Sequence, residues 1–543
     1  MTDGSDPMAP SGAVNPIDTD YKVGQDNIIV NVGPFGLDIH NRVFAISGLL
    51  VVAFVVLTLA FQNQVEPMFT AMRGWLTSNL DWFFISAGNI FVLVCLGLAI
   101  SPLGKVRLGG TEATPDYTYL GWFSMLFAAG MGIGLMFFGV SEPLSHFGSA
   151  FGGTAMENGV RTDWAPLGAA AGDAEAATRL GMAATIYHWA LHPWAIYAIL
   201  ALGLALFSFN KGLPLTVRSV FYPLLGERIW GWPGHVIDIL AVLATLFGLA
   251  TSLGYGAAQA SSGLNFLFDV PLGNTTQIVL VIGITAIALF SVVAGLDAGV
   301  KRLSEINMIL AVLLLLFVVA VGPTLDILSG FFGNLGAYFQ HLPELSNPVG
   351  RDDANFSQGW TAFYWAWWIS WSPFVGMFIA RVSRGRTVRE FIVSVLIVPS
   401  LACVLWMTVF GETAIIQFVR DGYEAATKAE LPLQLFAMLD ALPLAQITSF
   451  LAIILVVVFF VTSSDSGSLV IDVIAAGGKV DAPTPQRVFW CVFEGLVAIA
   501  LILGGGLVAL QAMAVSTGLP FTIVLLMSTV AVIKGLASEP RAR

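Results

Sequence analysis

Residues 358–390 read QGWTAFYWAWWISWSPFVGMFIARVSRGRTVRE and combine an apolar segment of membrane length with an unusual number of tryptophans. Tryptophan normally lies at the two ends of a membrane helix, where its ring reaches the lipid headgroups. Here the tryptophans run along the segment: Trp360, Trp365, Trp367, Trp368 and Trp371. On a helix that turns about 100° per residue, Trp360, Trp367 and Trp371 lie within about 40° of one another and Trp368 about 60° further round. The pattern predicts an aromatic wall inside the membrane.

The same segment predicts a break in its helix. Pro373 has no N–H to donate and its ring clashes with the preceding turn, while Gly376 lowers helix stability. We therefore expect unwound backbone around Ser372 and Pro373. Broken helices at membrane depth are tolerated where they are buried in protein or line a cavity, and aromatic faces beside freed backbone groups indicate a cation-binding cavity. An aromatic belt that faces lipid, or plain core packing, is the alternative.

The composition excludes a water-soluble globular protein. Of the 543 residues, 57% are hydrophobic and 11% are charged, whereas soluble domains have about 25% charged residues. The apolar runs are long enough to cross a bilayer as helices and lack the short alternating strands of an outer-membrane barrel. The N-terminal residues lack the pattern of a cleavable signal peptide. The predicted fold class is an all-α polytopic membrane protein.

Twelve apolar runs are candidate membrane spans. They are residues 43–61, 82–101, 119–146, 181–207, 235–266, 277–295, 303–322, 360–380, 391–411, 447–474, 488–504 and 517–534. An even number of spans puts both termini on one side, and most of the 24 Lys and Arg residues lie in the connecting segments of that side. The positive-inside rule therefore predicts that both termini are cytoplasmic. On the outer side, residues 324–341 predict an interfacial amphipathic helix and residues 422–442 a short helix.

A second break is predicted at GMGIG, residues 130–134, inside the third span. Three glycines at alternate positions leave carbonyl groups free to turn toward a ligand. Gly130 and Gly134 also have GxxxG spacing, so close helix packing is the alternative. Interrupted spans at corresponding places of two halves indicate a transporter binding site, and this break pairs with the one predicted near Pro373. Spans three to seven and eight to twelve therefore predict two inverted five-helix repeats.

Two motifs resemble the betaine/carnitine/choline transporter family: GMGIGLMFFGVSEP, residues 130–143, and WWISWSPFVGMFIARVSRGRTVREF, residues 367–391. The resemblance extends over residues 31–534 and implies a LeuT-like fold assembled as a homotrimer. The implied organisation is a cytoplasmic N-terminal segment (1–42), two peripheral helices (43–118), a first five-helix repeat (119–322), a periplasmic amphipathic helix and loop (323–355), a second five-helix repeat (356–535) and a short cytoplasmic tail (536–543).

The resemblance also implies a box of aromatic rings around a quaternary ammonium group. Its members would be Trp189, Trp194, Tyr197 and Trp368. Those of the fourth span lie in YHWALHPWAIY, residues 187–197, and spread over about 140° of one side of a straight helix. A methylated cation has no N–H to donate, so aromatic faces in a dry site are its natural partners, at about 2 kcal/mol each when well placed. Trp367 and Trp371 would be further contacts along the path, and Phe378 a gate on the cytoplasmic side.

A zwitterionic substrate also needs donors for its carboxylate. N–H groups freed at the glycine break supply such donors without a Lys or Arg inside the membrane, and the implied residues are Met131, Gly132 and Gly134. Family members that take choline, which has no carboxylate, have an acidic residue at the place of Gly134. Glycine at this position indicates a carrier of zwitterions.

Uphill transport needs a driving ion, and the resemblance implies sodium. The hydroxyls in FFVTSSD, residues 459–465, lie in a hydrophobic helix, where a hydroxyl bonds back to its own helix or binds an external partner. The implied ligands, between spans three and ten, are Ala128, Met131, Phe459, Thr462 and Ser463. Oxygen ligands suit a hard cation such as Na⁺. A second sodium site would use Thr245 and Phe374, but Leu249, one turn after Thr245, offers no oxygen and departs from that pattern.

Other polar residues at membrane depth leave alternatives open. Glu142 and Asp465 are proton sites or structurally paired acids. His188 and His192, four residues apart, lack the Glu and the third ligand of a catalytic zinc helix, so we interpret them as structural. We expect no cofactor, no metal other than the coupling sodium ion, and no nucleic-acid partner.

The expected function is sodium-coupled uptake of a compatible solute across the bacterial inner membrane by alternating access. Glycine betaine is the first candidate, and dimethylsulfoniopropionate, carnitine, choline and ectoine are alternatives, as are proton coupling and exchange. A membrane-embedded enzyme would need a nucleophile and a base within hydrogen-bond reach, which no pattern supplies. A channel is the third possibility.

Overall fold

A computed structural model describes residues 10–32, 35–294 and 297–541. In this part of the chain nearly all regular structure is helical, which confirms the all-α polytopic membrane fold. Gly295, the last residue of the predicted sixth span, lies outside the described residues. So do the first nine residues of the predicted N-terminal segment and the last two residues of the predicted tail.

The helices follow the predicted spans in order. The first half contains α1 (Val43–Ala60), α2 (Gln62–Ile100), α3 (Tyr119–Gly130), α4 (Ile133–Gly152), α5 (Ala174–Trp189), α6 (Leu191–Ala205), α7 (Tyr222–Leu225), α8 (Trp232–Phe268), α9 (Asn274–Ala294) and α10 (Asp297–Val321). The second half contains α11 (Thr324–Leu345), α12 (Ala354–Phe356), α13 (Ala362–Val382), α14 (Val388–Met407), α15 (Thr413–Val419), α16 (Ala425–Lys428), α17 (Gln434–Asp440), α18 (Ala445–Ala475), α19 (Thr484–Leu503) and α20 (Gly506–Ala537).

In the described residues, ten helices are long and apolar enough to cross a membrane, or eleven when the bent pair α3 and α4 counts as one span. The remaining predicted span is α13, in which aromatic rings and hydroxyls replace many aliphatic side chains. It lies at the centre of the bundle, against α6, α8 and α20. The second helix differs from its prediction, because α2 begins at Gln62 rather than near residue 82, so its polar first half is helical as well. The division into two repeats stays a prediction.

The two predicted helix breaks have different outcomes. The break in the third span is confirmed: α3 ends at Gly130, α4 begins at Ile133, and the two helices are bent by 63°. The predicted unwinding around Pro373 is wrong, because α13 is continuous from Ala362 to Val382.

Local contacts explain why α13 stays helical. Pro373 cannot donate to the carbonyl oxygen of Ile369, and that oxygen instead accepts a hydrogen bond from Oγ of Ser372 at 2.7 Å. Gly376 faces α6 so closely that an added Cβ would lie 3.3 Å from the backbone nitrogen of Ala201. Proline and glycine here serve close packing between helices rather than unwinding.

The two helices predicted on the outer side are present. The amphipathic helix is α11, which buries Ile327, Asn334 and Tyr338 and leaves Leu325 and Phe332 exposed. Residues 422–442 contain two short helices, α16 and α17.

Residues 10–32 and 35–41 pack across one end of the helix bundle. The segment contains an antiparallel hairpin of β1 (Asn27–Val32) and β2 (Phe35–His40), which the sequence did not predict. A second hairpin, β3 (Met156–Glu157) with β4 (Val160–Arg161), follows α4. The side chain of Asn15 donates to the backbone oxygen of Ser538 at 3.2 Å. Both described ends of the chain therefore lie on the same side of the bundle, as the even number of spans predicts.

Candidate functional site

The rings of α13 form an aromatic wall in the middle of the bundle. Trp367 and Trp368 are stacked, with ring centroids 5.0 Å apart and planes 14° from parallel. Phe363 stacks on Trp367 at 5.4 Å, and Tyr364 lies 5.8 Å from Trp368. Trp367 is 2% exposed, so protein rather than lipid surrounds it. This burial contradicts the alternative of a belt that faces lipid.

The four residues of the predicted box lie together. The ring centroids of Trp189 and Trp368 are 5.0 Å apart with planes at 74°, and those of Tyr197 and Trp368 are 6.3 Å apart at 76°. Trp194 meets Tyr197 at 5.3 Å and 69°. Edge-to-face geometry of this kind presents ring faces in several directions around one space. The binding role of these residues stays a prediction.

A break in the fourth span orients the rings of Trp194 and Trp368. Helix α5 ends at Trp189 and α6 begins at Leu191, so the straight helix on which the predicted one-sided spread depended is not present. Pro193 has no N–H to donate to the carbonyl oxygen of Trp189, and the indole N–H of Trp194 donates to that oxygen at 3.2 Å instead. The indole N–H of Trp368 donates to the carbonyl oxygen of His188 at 3.0 Å. The break thus supplies the acceptors that hold both indoles.

Glu142 of α4 holds a third ring of the box. It is fully buried, and its Oε2 accepts hydrogen bonds from the indole N–H of Trp189 at 2.7 Å and the hydroxyl of Tyr364 at 2.6 Å. Its Oε1 lies 2.5 Å from Nδ1 of His188 and 3.3 Å from Nε2 of His146. One carboxylate therefore joins α4, α5 and α13 and fixes the plane of the Trp189 ring. The sequence prediction treated Glu142 as a proton site or a paired acid, and the paired alternative is the one observed.

The histidines have separate partners, as their structural interpretation predicts. His192 bonds to Oδ1 of Asn89 at 2.9 Å and stacks on Trp365 at 5.3 Å. His188 bonds through Nε2 to the hydroxyl of Thr361 at 2.9 Å. A different set, Glu142, His146 and His188, has ligand atoms within 4.8 Å of one another, a spacing that a metal ion could bridge. These atoms already bond to one another, and sequence reasoning named neither His146 nor Tyr364. The sequence feature that could have predicted this cluster is the spacing of Glu142 and His146, four residues apart in an apolar helix, which places both on one face.

The glycine break lets backbone approach the rings. A Cβ added to Gly134 would lie 2.8 Å from the Trp189 ring and 3.4 Å from the Trp367 ring, and one on Gly130 would lie 3.3 Å from the Trp194 ring. Gly132 faces open space, with no atom within 4 Å of an added Cβ. The first N–H groups of α4 have no acceptor inside their own helix. The break and close packing, which the sequence offered as alternatives, therefore occur together.

The remaining predicted contacts continue along α13. The indole N–H of Trp371 donates to the carbonyl oxygen of Gly248 at 3.0 Å, and its ring meets Phe374 at 5.4 Å. Phe378 follows one turn later and is 38% exposed. In the opposite direction, a cavity of about 190 Å³ is lined by Phe138, Tyr255, Trp360 and other residues. Phe138 and Tyr255 also contact Trp367, so they stand between this cavity and the box.

The predicted sodium ligands lie near the glycine break. Oγ1 of Thr462 donates to the carbonyl oxygens of Val458 and Phe459, each at 3.1 Å, which is the back-bonding alternative. A hydroxyl that donates its hydrogen keeps lone pairs for a cation. A Cβ added to Gly256 would lie 3.4 Å from both Ile133 and Val456, so the start of α4 and the turn of α18 before Phe459 converge. Ser463 is half-buried.

The predicted second sodium site lacks an oxygen ligand at Leu249, as the sequence indicated. Oγ1 of Thr245 donates to the carbonyl oxygen of Ala241 at 2.7 Å. Leu249, one turn later, places its methyl groups against Gly467 of α18. The leucine therefore fills space between α8 and α18 that an oxygen-bearing side chain would otherwise enter.

Comparison with known proteins adds to this geometry. Residues 42–541 match the model of the betaine/carnitine/choline family transporters. The chain belongs to this family. A glycine betaine/proline/choline transporter of Vibrio parahaemolyticus is 74% identical, over 98% of this chain and 96% of that protein. Glycine betaine transporter 1 of the same organism is 54% identical, over 96% of this chain and 97% of that protein. A glycine betaine transporter of Acinetobacter baylyi is 41% identical, over 92% of this chain and 74% of that protein.

Membership in the betaine/carnitine/choline transporter family makes the chain a multi-pass membrane protein of a transporter family. The box, the glycine break and the hydroxyl-bearing helix therefore lie in a protein whose relatives move small molecules.

Proposed function

We propose that this protein imports a small methylated zwitterion, with glycine betaine as the first candidate, in symport with sodium by alternating access. The observation that carries the proposal is the group of four rings, Trp189, Trp194, Tyr197 and Trp368, with neighbouring centroids 5.0 to 6.3 Å apart in the core of the bundle. An onium group spreads its charge over methyl groups, and aromatic faces attract such a charge without hydrogen bonds.

The carboxylate of the substrate would meet the first turn of α4. The N–H groups at the start of that helix, together with its dipole, favour an anion, and Gly132 borders open space there. Gly134 leaves no acidic side chain to replace the carboxylate. We therefore expect glycine betaine and dimethylsulfoniopropionate to bind better than choline. The names of relatives also mention proline, choline and ectoine, which form the set of alternative substrates with carnitine.

Sodium would bind between the end of α3 and the middle of α18. The ligands are the hydroxyls of Thr462 and Ser463 and backbone oxygens of Ala128, Met131 and Phe459. Met131 has extended backbone between two helices, so carbonyl groups beside it are free to turn toward an ion. Proton coupling and exchange are the alternative modes.

Charge and contacts support the proposed sidedness. The backbone N–H of Ser11 donates to the oxygen of Gly109 at 2.8 Å, and Gly109 in turn lies beside the side chain of Arg384. The described N-terminal residues and the arginine-rich end of α13 are thus on one side, which the positive-inside rule assigns to the cytoplasm of a bacterial inner membrane. The family assembly implies a homotrimer, and exposed apolar residues of α11, such as Leu325 and Phe332, are available for subunit contacts.

An enzyme is less consistent with the contacts. Ser372, a candidate nucleophile, donates its hydroxyl to the carbonyl oxygen of Ile369, and His188 lies between Glu142 and Thr361. Neither arrangement pairs a nucleophile with a base.

Reconstituted vesicles test the proposal. We expect labelled glycine betaine to accumulate under an inward sodium gradient, to saturate with concentration, and to fall to the level of empty vesicles when potassium replaces sodium. Equal accumulation with and without the sodium gradient would contradict sodium coupling, and single-channel currents would favour a channel. Tryptophan fluorescence with glycine betaine, dimethylsulfoniopropionate, carnitine, choline and ectoine, each with and without sodium, would rank the substrates.

A further inference from the structure

A buried carboxyl group in α19 has no charged partner among the described residues. Glu494 lies in the middle of α19 and is 0% exposed. Its Oε2 accepts a hydrogen bond from Oγ of Ser464 at 3.0 Å. Its Oε1 is buried without a hydrogen-bond partner among the described residues. Ser464 directly follows Ser463, the last predicted sodium ligand, so this group borders the sodium region without belonging to it.

The helices around Glu494 bring no positive charge to it. On α19 itself, Cys491 is a neutral thiol one turn away, and Arg487 pairs with Asp465 of α18 at 3.0 Å. The sequences of α1 and α9, which pack on α19, contain no ionisable residue.

The remaining neighbours place their ionisable groups away from the middle of α19. Asp38 of β2 and Asp472 of α18 lie near Gln486 in the first turn of α19. Helix α8 has His235 and Asp238 in its first two turns, and Asp238 is paired with Arg218. Its third ionisable residue, Tyr255, is bonded to Gln511. Lys534 is at the last turn of α20. Glu494 makes no ion pair with any described residue.

An ionised carboxylate in these surroundings would be costly. A buried charge in a membrane protein is stable only when it is paired or strongly hydrogen-bonded, and a single hydroxyl donor does not replace the lost hydration. A bound metal cation would need about six oxygen ligands, whereas the hydrogen bonds of the described residues bring only one serine hydroxyl to the two carboxyl oxygens. A proton neutralises the group without further ligands.

We propose that Glu494 is a proton-binding site. In the described conformation the carboxyl group carries a proton on Oε1, taken from water when the site was last accessible, while Oε2 accepts from Ser464. At alkaline pH the O–H bond breaks and the proton returns to water, which leaves a negative charge one residue away from the sodium-binding run. Proton release therefore strengthens sodium binding, a consequence that rests on the proposed sodium site, whereas the proton site itself does not.

Infrared spectroscopy of the purified full-length protein tests the proton directly. We expect the carbonyl band of a protonated carboxylic acid at neutral pH in the wild type and its loss in Glu494→Gln, which keeps an oxygen for Ser464. Asp465→Asn is the matched control, because Asp465 is paired with Arg487 and its removal should leave this band in place. A band of equal intensity in wild type and Glu494→Gln would overturn the proposal. Ser464→Ala, which removes the single hydroxyl donor, should shift the band without abolishing it, and an unshifted band would contradict the assignment.

Sodium titrations test the consequence. In the wild type we expect the sodium concentration needed for half-maximal glycine betaine uptake to fall several-fold from neutral to alkaline pH, and in Glu494→Gln to stay nearly constant. An equal pH dependence in both proteins would overturn the link between Glu494 and sodium. If neither protein responds to sodium at any pH, the proposed sodium coupling fails, and the infrared comparison still decides whether Glu494 carries a proton.

Discussion

Trp368 is the residue at which the proposed cation–π attraction to an onium group can be measured most directly. Its indole N–H donates to the carbonyl oxygen of His188, which fixes the plane of the ring within the box. Trp368→Leu keeps an apolar filler but removes the ring quadrupole. We expect glycine betaine binding to weaken by about 1.4 to 3 kcal/mol, roughly ten- to more than a hundredfold, in a fluorescence titration.

The matched control for this change is Trp365→Leu. Trp365 lies on the same helix but stacks on His192, away from the box. The Trp365→Leu variant should bind glycine betaine with the affinity of the wild type, measured on samples that elute as assembled protein. Parental affinity in Trp368→Leu would remove this residue from the box and reduce the wall of rings to packing.

Substitutions of Glu142 test whether substrate binding in the box depends on a residue that need not touch the substrate. In Glu142→Leu the indole of Trp189 and the hydroxyl of Tyr364 lose their common acceptor, at a cost of about 1 to 3 kcal/mol for each buried donor. We expect both a lower unfolding temperature and weaker glycine betaine binding. Glu142→Gln keeps one acceptor oxygen and should fall between Glu142→Leu and the wild type. If the glutamine and leucine variants were equally impaired, the hydrogen bonds would not be what orients Trp189.

The sequence identifies single residues of the site unevenly. Trp368 lies inside one of the two motifs that carry the family resemblance, and the same resemblance implies Trp189, Trp194 and Tyr197. The network of Glu142 is not recognisable in this way, because most of its partners come from α5 and α13, which are distant from α4 in the chain. Hydrophobic patterns predict that a polar residue is buried, but they contain no information on which donors meet it.

Among the elements, the junction of α3 and α4 offers two glycines with different surroundings. In Gly134→Ala the new methyl group would lie 2.8 Å from the Trp189 ring and push it toward Trp368. We expect severalfold weaker glycine betaine binding, because overpacking a tight contact costs about 1 to 3 kcal/mol. In Gly132→Ala the methyl group contacts no protein atom and the extended backbone suits any residue, so the unfolding temperature should not change. Any loss of glycine betaine affinity in Gly132→Ala would come from the space proposed for the carboxylate, and an unchanged affinity in Gly134→Ala would show that ring packing at Gly134 does not matter for binding.

Helix breaks show where sequence reasoning about elements succeeds and where it fails. Alternating glycines correctly predicted the break after Gly130, because no side chain there favours one backbone conformation. Pro373 did not break α13, because Ser372 bonds to the carbonyl oxygen that the proline cannot reach. In the fourth span, Pro193 accompanies a break whose carbonyl groups are taken by indoles of the box. The outcome at each proline depends on tertiary partners, which local propensity does not contain.

The hairpin β1–β2 carries a pH-sensitive group at the start of α1. Nδ1 of His40 accepts hydrogen bonds from the backbone N–H groups of Arg42 and Val43 at 3.2 and 3.3 Å. Burial, and after it the charge of Arg218, lowers the pKa of His40 to about 3, from an ordinary value of about 6.5. The pKa of His40 is lower in the folded protein than in the unfolded chain. The contribution of His40 to the free energy of unfolding is therefore complete above about pH 6.5 and is lost as pH falls toward 3.

His40→Asn separates this effect from the other acid-sensitive groups. Asparagine keeps a short acceptor at the helix start but does not titrate in this range. We expect the unfolding temperature of the wild type to drop more steeply than that of His40→Asn between pH 6.5 and 4, measured on full-length protein in detergent. Parallel curves for the two proteins would show that His40 binds a proton equally well in the folded and unfolded states.

At the scale of the whole molecule, the chain closes on itself on one side of the bundle. Asn15 bonds to Ser538, and Asn27 donates to the backbone oxygen of Ala476 at the end of α18 at 2.9 Å. Lys479 pairs with Asp38 of β2. The N-terminal segment thus contacts the helix that carries the predicted sodium hydroxyls, and any movement of α18 has to carry these contacts or break them.

The proposed coupling between sodium and substrate would be a property of the whole molecule, because the two proposed sites share the α3–α4 junction rather than side chains. Met131 and Gly132 lie between the predicted sodium oxygens and the rings that Gly134 touches. Binding couplings are reciprocal, so a lost sodium ligand must also reduce the effect of sodium on substrate affinity.

Thr462→Ala removes one hydroxyl and leaves the box intact. We expect a several-fold higher sodium requirement and a smaller enhancement of glycine betaine binding by sodium, with nearly parental glycine betaine affinity once sodium saturates. Thr448→Ala is the matched control, because this threonine of α18 also bonds back to its own helix but lies near the first turn. Trp368→Leu should show the opposite pattern, with weak substrate binding and an unchanged ratio of affinities with and without sodium. If Thr462→Ala weakened glycine betaine binding equally in sodium and in potassium, Thr462 would support the fold of α18 rather than bind the ion.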